Sequence, residues 1–169
     1  MKKDLAFIGG LFLVLAALLI FGGGFTSLGI MRSGGFGNSA TKSAEQSGVL
    51  RIKIKSLDVN AKIAASAADQ KKGLGKRESL PLNEGMLFVF EKTGAYTFWM
   101  KDVKFALDII WLDENKDVVD IAPNAPAQPG MSERDLILYK PKSDAKYVLE
   151  VNAGLASLNN IQIGDKAEF

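Results

Sequence analysis

Hydrophobicity along this chain has two regimes. Residues 5–21 form an unbroken run with no charged and no strongly polar side chain, and the apolar character continues through Gly22, Gly23, Gly24 and Phe25 to Ile30. At 1.5 Å of rise per helical residue, residues 5–30 exceed the roughly 20 needed to cross about 30 Å of hydrocarbon. Nothing in the run is amphipathic, so it predicts a transmembrane helix and not a surface or core helix. Lys2 and Lys3 in the leading residues 1–4, against Arg32 alone on the far side, keep the N-terminus inside and place the rest outside the cytoplasm. A cleaved secretory signal shares the basic start and the apolar core. The nearest small-residue cleavage stretch, residues 39–44, lies well downstream of Arg32. Residues 31–47 are rich in Gly and Ser without periodicity, which predicts a flexible linker.

From residue 48 to residue 169 the pattern is that of a globular domain with a period of two. Leu50, Ile52 and Ile54 alternate with Arg51, Lys53 and Lys55; Leu57, Val59, Ala61 and Ile63 alternate with Asp58, Asn60 and Lys62. Two half-buried strands joined at Lys55 and Ser56 form a hairpin. Ser66 with Asp69 three residues on resembles a capping box, predicting a short helix over residues 67–72 that Gly73 or Gly75 ends. Residues 86–90 are continuously apolar, as in a strand buried on both faces. Thr93 and Gly94 predict a turn before a strand over 96–100, and further strands are expected over 107–112, 118–122, 147–151 and near Phe169, with a helical turn over 153–158. Residues 123–141 hold four of the five prolines and predict a long loop. About seven to eight short strands with one or two short helices predict a mainly β domain, a β-sandwich or distorted barrel.

Composition narrows the chemistry. Four of the 21 basic residues and two of the 19 acidic ones lie upstream of Ser47, so the domain beyond it is neutral. No basic stripe is available to neutralise phosphates, and no nucleic-acid partner is expected. Cysteine and histidine are absent. That excludes disulfides, a thiolate nucleophile, a lipid anchor on Cys, and the usual ligands of zinc, haem and iron–sulfur clusters. No cofactor and no metal site is expected. Asp113, Glu114 and Asp117 crowd one turn, but their spacing lacks the Gly and the terminal Glu of an EF-hand loop, and an Asx-rich turn accounts for them.

Three blocks of sequence resemble the DUF192 family of uncharacterised bacterial and archaeal proteins, over most of the chain from about Val59. They are Gly73-Leu74 with Arg77-Glu78-Ser79-Leu80-Pro81 and residues 84–90; Phe98-Trp99-Met100-Lys101 with residues 107–110; and residues 147–151 with Gly154 and Gly164-Asp165. The family pattern has Met in place of Gly75, Asn in place of Asp102 and Pro in place of Ala106. At neutral pH Asp102 accepts hydrogen bonds without donating, so no role for a side-chain amide carries over to it. The resemblance implies a compact, mainly β fold and no established activity.

Arg77, Glu78, Glu84, Trp99, Lys101 and Asp108 are the polar or amphipathic members of these blocks and the candidate ligand-binding residues. On one reading they line a polar cleft for an anionic or sugar-like ligand, with Trp99 as stacking platform and Arg77 and Lys101 as donors. On the other, Arg77 and Lys101 pair with Glu84 or Asp108 and only fix loops. Glu78 and Asp108 would serve acid and base chemistry if they lay roughly 5 to 9.5 Å apart. Trp111, Phe88, Phe90, Tyr96 and Phe98 read as core, and Tyr139 as free to meet a partner. The expectation is a membrane-tethered, extracytoplasmic, non-catalytic binding or structural module touching envelope glycan, an anion or protein. The alternatives are a carboxylate-dependent envelope hydrolase and an accessory subunit of a membrane complex.

Overall fold

The structure, a computed structural model, describes residues 48–169. The expected tip, anchor and linker, residues 1–4, 5–30 and 31–47, lie outside the described residues. Among the described residues no helix is long and apolar enough to cross a membrane.

Strands β1 (Val49–Ile54) and β2 (Leu57–Ala64) form the expected hairpin, with Ile52 opposite Val59 and Ile54 opposite Leu57. Lys55 takes the left-handed conformation at the bend. Helix α1 (Ala67–Lys72) follows as its caps predict: the Ser66 hydroxyl accepts the Asp69 N–H at 3.1 Å, and Gly73 ends the helix at a φ of 47°. The remaining elements are β3 (Glu84–Gly94), β4 (Leu107–Leu112), β5 (Val118–Ala125), β6 (Ala145–Asn152), α2 (Leu155–Leu158) and β7 (Ala167–Glu168).

All seven strands belong to one sheet, ordered β5-β4-β6-β3-β2-β1-β7. Only β2 and β3 run parallel, which is why the chain between them makes a crossover carrying α1. The sheet curls into a half-barrel, and its two edges meet at one end. There Ala167 donates to the Lys116 carbonyl at 2.9 Å, and Val118 to that of Asp165 at 2.8 Å. The sandwich alternative is thereby corrected: strand count and alternation do not distinguish two facing sheets from one sheet closing on itself.

Its concave face buries Ile52, Ile54, Val59, Leu87, Ile110, Leu112, Leu149 and Val151 as one core. The convex face of β3, β4 and β6 buries Met86, Phe88, Leu107, Ile109, Trp111 and Val148 as a second, covered by Leu74, Leu80, Met100 and Val103 from the connections. Each such side chain contributes about 1.5–3 kcal/mol. Burial on both faces accounts for the continuous apolar runs over 86–90 and 109–112.

Three expectations change. Strand β3 continues through Gly94, where a turn was expected. Residues 96–100 are not a strand of the sheet. Phe98 only exchanges backbone hydrogen bonds of 2.9 Å with Tyr139, because the segment lies over the convex face as a cover. Tyr139 is thus not free; it packs against the second core with its hydroxyl buried and without a hydrogen-bond partner. The turn at Asp113 is of the Asx kind, its Oδ1 accepting the Asp117 N–H at 2.8 Å.

Asp108 sits in the middle of this architecture, fully buried on the concave side of β4. Its Oδ1 accepts the Asn124 N–H at 2.8 Å and its Oδ2 the Ala156 N–H at 2.7 Å, joining β5 to α2. Asp108→Asn turns an amide donor against one of those N–H groups and leaves it unpaired. The expected loss is about 1–3 kcal/mol of stability in urea unfolding; an unchanged midpoint would contradict the bridging role.

Candidate functional site

On the convex face the cover is incomplete. Between the end of α1, the outward side of β3 and residues 96–103 lies a cavity of about 340 Å³. Phe88 and Phe90 from β3 line it together with Phe98, Tyr96 and Trp99 from the covering segment. Alternation along β3 sends Met86, Phe88 and Phe90 to the same side. Gln70 docks α1 on this strand by donating to the Val89 carbonyl at 2.9 Å. The aromatic rings brace one another: Phe88 meets Phe98 edge-on at 4.9 Å, Phe90 stacks on Tyr96 at 3.5 Å, and Phe98 meets Trp111 edge-on at 6.1 Å. Trp111 is anchored by its indole N–H, which donates to the Tyr96 carbonyl at 2.9 Å.

Two kinds of polar group border the aromatic walls. Lys71, Lys72 and Lys101 supply positive charge. Lys101 is ion-paired with Glu133, which raises the lysine pKa and lowers that of the glutamate, chiefly through their hydrogen bond. Lys71 and Lys72 have no ion pair among the described residues. A larger hollow of about 840 Å³ adjoins the cavity, sharing Lys71, Lys72, Trp99 and Lys101 and lined further by Lys76, Asp102, Leu136 and Leu138.

The other polar group is Glu150. It projects from β6 onto the convex face, opposite Met86 on one side and Ile109 on the other, and is 4% exposed. Burial alone pushes its carboxyl up to about 8, so it is mostly protonated at neutral pH. The neighbouring backbone is equally constrained. A Cβ at Gly85 would stand 2.9 Å from the Glu150 carbonyl oxygen, so glycine there permits β3 and β6 to approach.

Of the six candidates from the sequence, Trp99 and Lys101 meet at this cavity. Arg77 lines an adjoining hollow that shares Lys72, Gly73 and Gly75, and lies 3.9 Å from Glu84 in an ion pair. Glu78 is exposed and paired with Lys104. Asp108 points into the opposite core with both oxygens occupied by backbone N–H groups. Glu78 and Asp108 therefore do not form a catalytic pair. Phe88 belongs to the second core as expected, with Phe90 and Phe98 packed against it, and together with Tyr96 these rings also form the cavity wall. Glu150, the buried acid, was not among the candidates. Its signal was present: Val148 and Glu150 share one strand face inside a run that is otherwise apolar.

The neutral state of Glu150 sets a pH dependence. The unfolded chain ionises it near the ordinary glutamate range while the folded chain holds its proton to about pH 8. Its contribution to stability is fully present below about pH 4.5 and is lost as pH rises to about 8, by on the order of 1.4 kcal/mol per unit. Glu150→Gln, uncharged throughout, is expected to match wild type near pH 5 and exceed it at pH 9 in urea unfolding. A constant difference across that range would refute the assignment.

Three kinds of similarity bear on identity. The DUF192 family model, described as uncharacterised, matches residues 49–169. Over 64 residues the chain is 36% identical to a UPF0127 protein of Pyrococcus abyssi and 33% identical to one of Pyrococcus furiosus. Those alignments cover 38% of this chain and span about half, 47%, of each relative. A crystal structure of a protein of unknown function from Novosphingobium aromaticivorans is similar with a TM-score of 0.64 and 31% identity, over 72% of this chain and 85% of that one. Another, described as a candidate transcription regulator from Sinorhizobium meliloti, gives a TM-score of 0.65 and 25% identity, over 74% and 96%. With its match running through the whole half-barrel, and with Trp99, Lys101 and Glu150 set on that scaffold, the chain belongs to the DUF192 family.

Proposed function

We propose that the domain is a non-catalytic binding module whose ligand places an apolar or sugar-like ring in the aromatic cavity and an anionic group on the lysines at its border. The observation that carries this reading is the conjunction of an aromatic-walled cavity with Lys71 and Lys72, cations that have no ion-pair partner among the described residues. Concave, mostly apolar sites with a few placed polar groups are the usual form of small-molecule sites. Trp99, 49% exposed, supplies a stacking face at the entrance. The carboxylate hydrolase has no such support, since Glu78 and Asp108 are each engaged elsewhere.

The same proposal places the module at the cell envelope, tethered by residues 5–30 with the N-terminus inside. Support comes from the apolar run and from Lys2 and Lys3. Intact mass of membrane-extracted protein is expected to equal that of the full chain; a mass lacking residues up to 39–44 would replace the anchor with a cleaved signal.

A thermal-shift panel of aryl carboxylates, aryl sulfonates, uronic-acid oligosaccharides and uncharged counterparts tests the ligand class. Ring-bearing anions are expected to raise Tm and their uncharged counterparts to do so less, since ligands that bind only the folded state stabilise it. Trp99→Ala is expected to weaken binding about tenfold without unfolding the domain. A panel in which no ring-bearing anion shifts Tm would overturn the binding module.

A further inference from the structure

Two chemically different kinds of polar group line the cavity. Lys71, Lys72 and Lys101 border it as cations, whereas Glu150 reaches it from the sheet beneath. Met86 of β3 and Ile109 of β4 flank Glu150 with apolar surface. Tyr96 and the three lysines are the other titratable side chains lining the same cavity. Burial is the cause that raises the pKa of the Glu150 carboxyl. Phe88, Phe90 and Phe98 supply aromatic wall to the same cavity.

We infer that Glu150 determines specificity by donating a hydrogen bond to an uncharged carbonyl oxygen on the apolar end of an anionic ligand. This rests on the binding module proposed above and names what its buried end recognises. A protonated carboxyl carries one O–H donor. A wholly hydrocarbon end would seal that donor away from water without a partner, which costs free energy, whereas a carbonyl at the same place satisfies it. An ammonium group fits less well: it would meet Lys71, Lys72 and Lys101 on entry and would require Glu150 to ionise in an apolar site.

The discriminating experiment is calorimetric titration of the full chain with 4-benzoylbenzoate and with 4-benzylbenzoate, in which a methylene replaces the ketone, at pH 6 and pH 9. Wild type is expected to bind the ketone about tenfold more tightly at pH 6 and to lose that preference at pH 9, where Glu150 is ionised. Glu150→Met is expected to show no preference at either pH. Glu150→Gln, whose amide still donates, is expected to keep it at both. Equal affinity of wild type for the two acids at pH 6 overturns the inference while leaving the binding module intact. Failure of both acids to bind at either pH overturns the module as well. Tighter binding of 4-benzylbenzylamine than of either acid, strengthening as pH rises, overturns the inference in favour of a cation site.

Discussion

The convex face of β3, β4 and β6 is apolar, and among the described residues no second sheet lies over it, so the connections between strands have to exclude water there. Met86, Phe88, Leu107, Ile109, Trp111 and Val148 form that face. Leu74, Leu80, Met100 and Val103 reach over it from loops that carry little regular structure of their own. Loops cannot interdigitate with a sheet as densely as another sheet can, because their backbone polar groups must find partners as well. Their solutions are visible in Phe98 exchanging hydrogen bonds with Tyr139, and in the Tyr96 carbonyl taking the Trp111 indole N–H. Where the cover falls short, an aromatic-walled cavity remains.

Burial on this face also explains the chemistry of the cavity. Glu150 occupies a position whose strand neighbours on both sides are apolar, and burial there disfavours the ionised form of its carboxyl. Asp108, on β4 and equally buried, is the instructive contrast. It faces the concave core, where two backbone N–H groups meet its oxygens and tie β5 to α2. Two buried carboxyls one strand apart thus hold different roles, one structural and one facing an accessible space, according to which side of the sheet they occupy.

The charged candidates follow a simpler rule. Arg77 with Glu84, Glu78 with Lys104 and Lys101 with Glu133 are solvent-accessible pairs at the ends of loops. Pairs of this kind contribute little to stability, typically about 0–1 kcal/mol. Their effect here is to order the connections that border the cavity, and Lys101 alone among them also lines it.

What the sequence determined by itself is local. Alternation at residues 49–63 specified the first hairpin, Ser66 with Gly73 or Gly75 bracketed α1, and the unbroken run at 86–90 indicated burial on both faces of β3, which Met86, Leu87 and Phe88 show in full and Val89 and Phe90 in part. Those features depend on period, caps and turns, whose causes lie within a few residues. Closure of the sheet was not legible, because it depends on Lys116 meeting Ala167 across fifty residues of chain. Residues 96–100 have strand-like alternation, yet their partner is Tyr139 and their place is on the convex face, which only the finished sheet could offer. The sequence likewise supplied Trp99 and Lys101 and assigned Phe88, Phe90 and Phe98 to the core they join, but not the cavity they also line. Whether a core aromatic also walls a cavity depends on how completely distant segments cover it, and that is decided by tertiary packing alone.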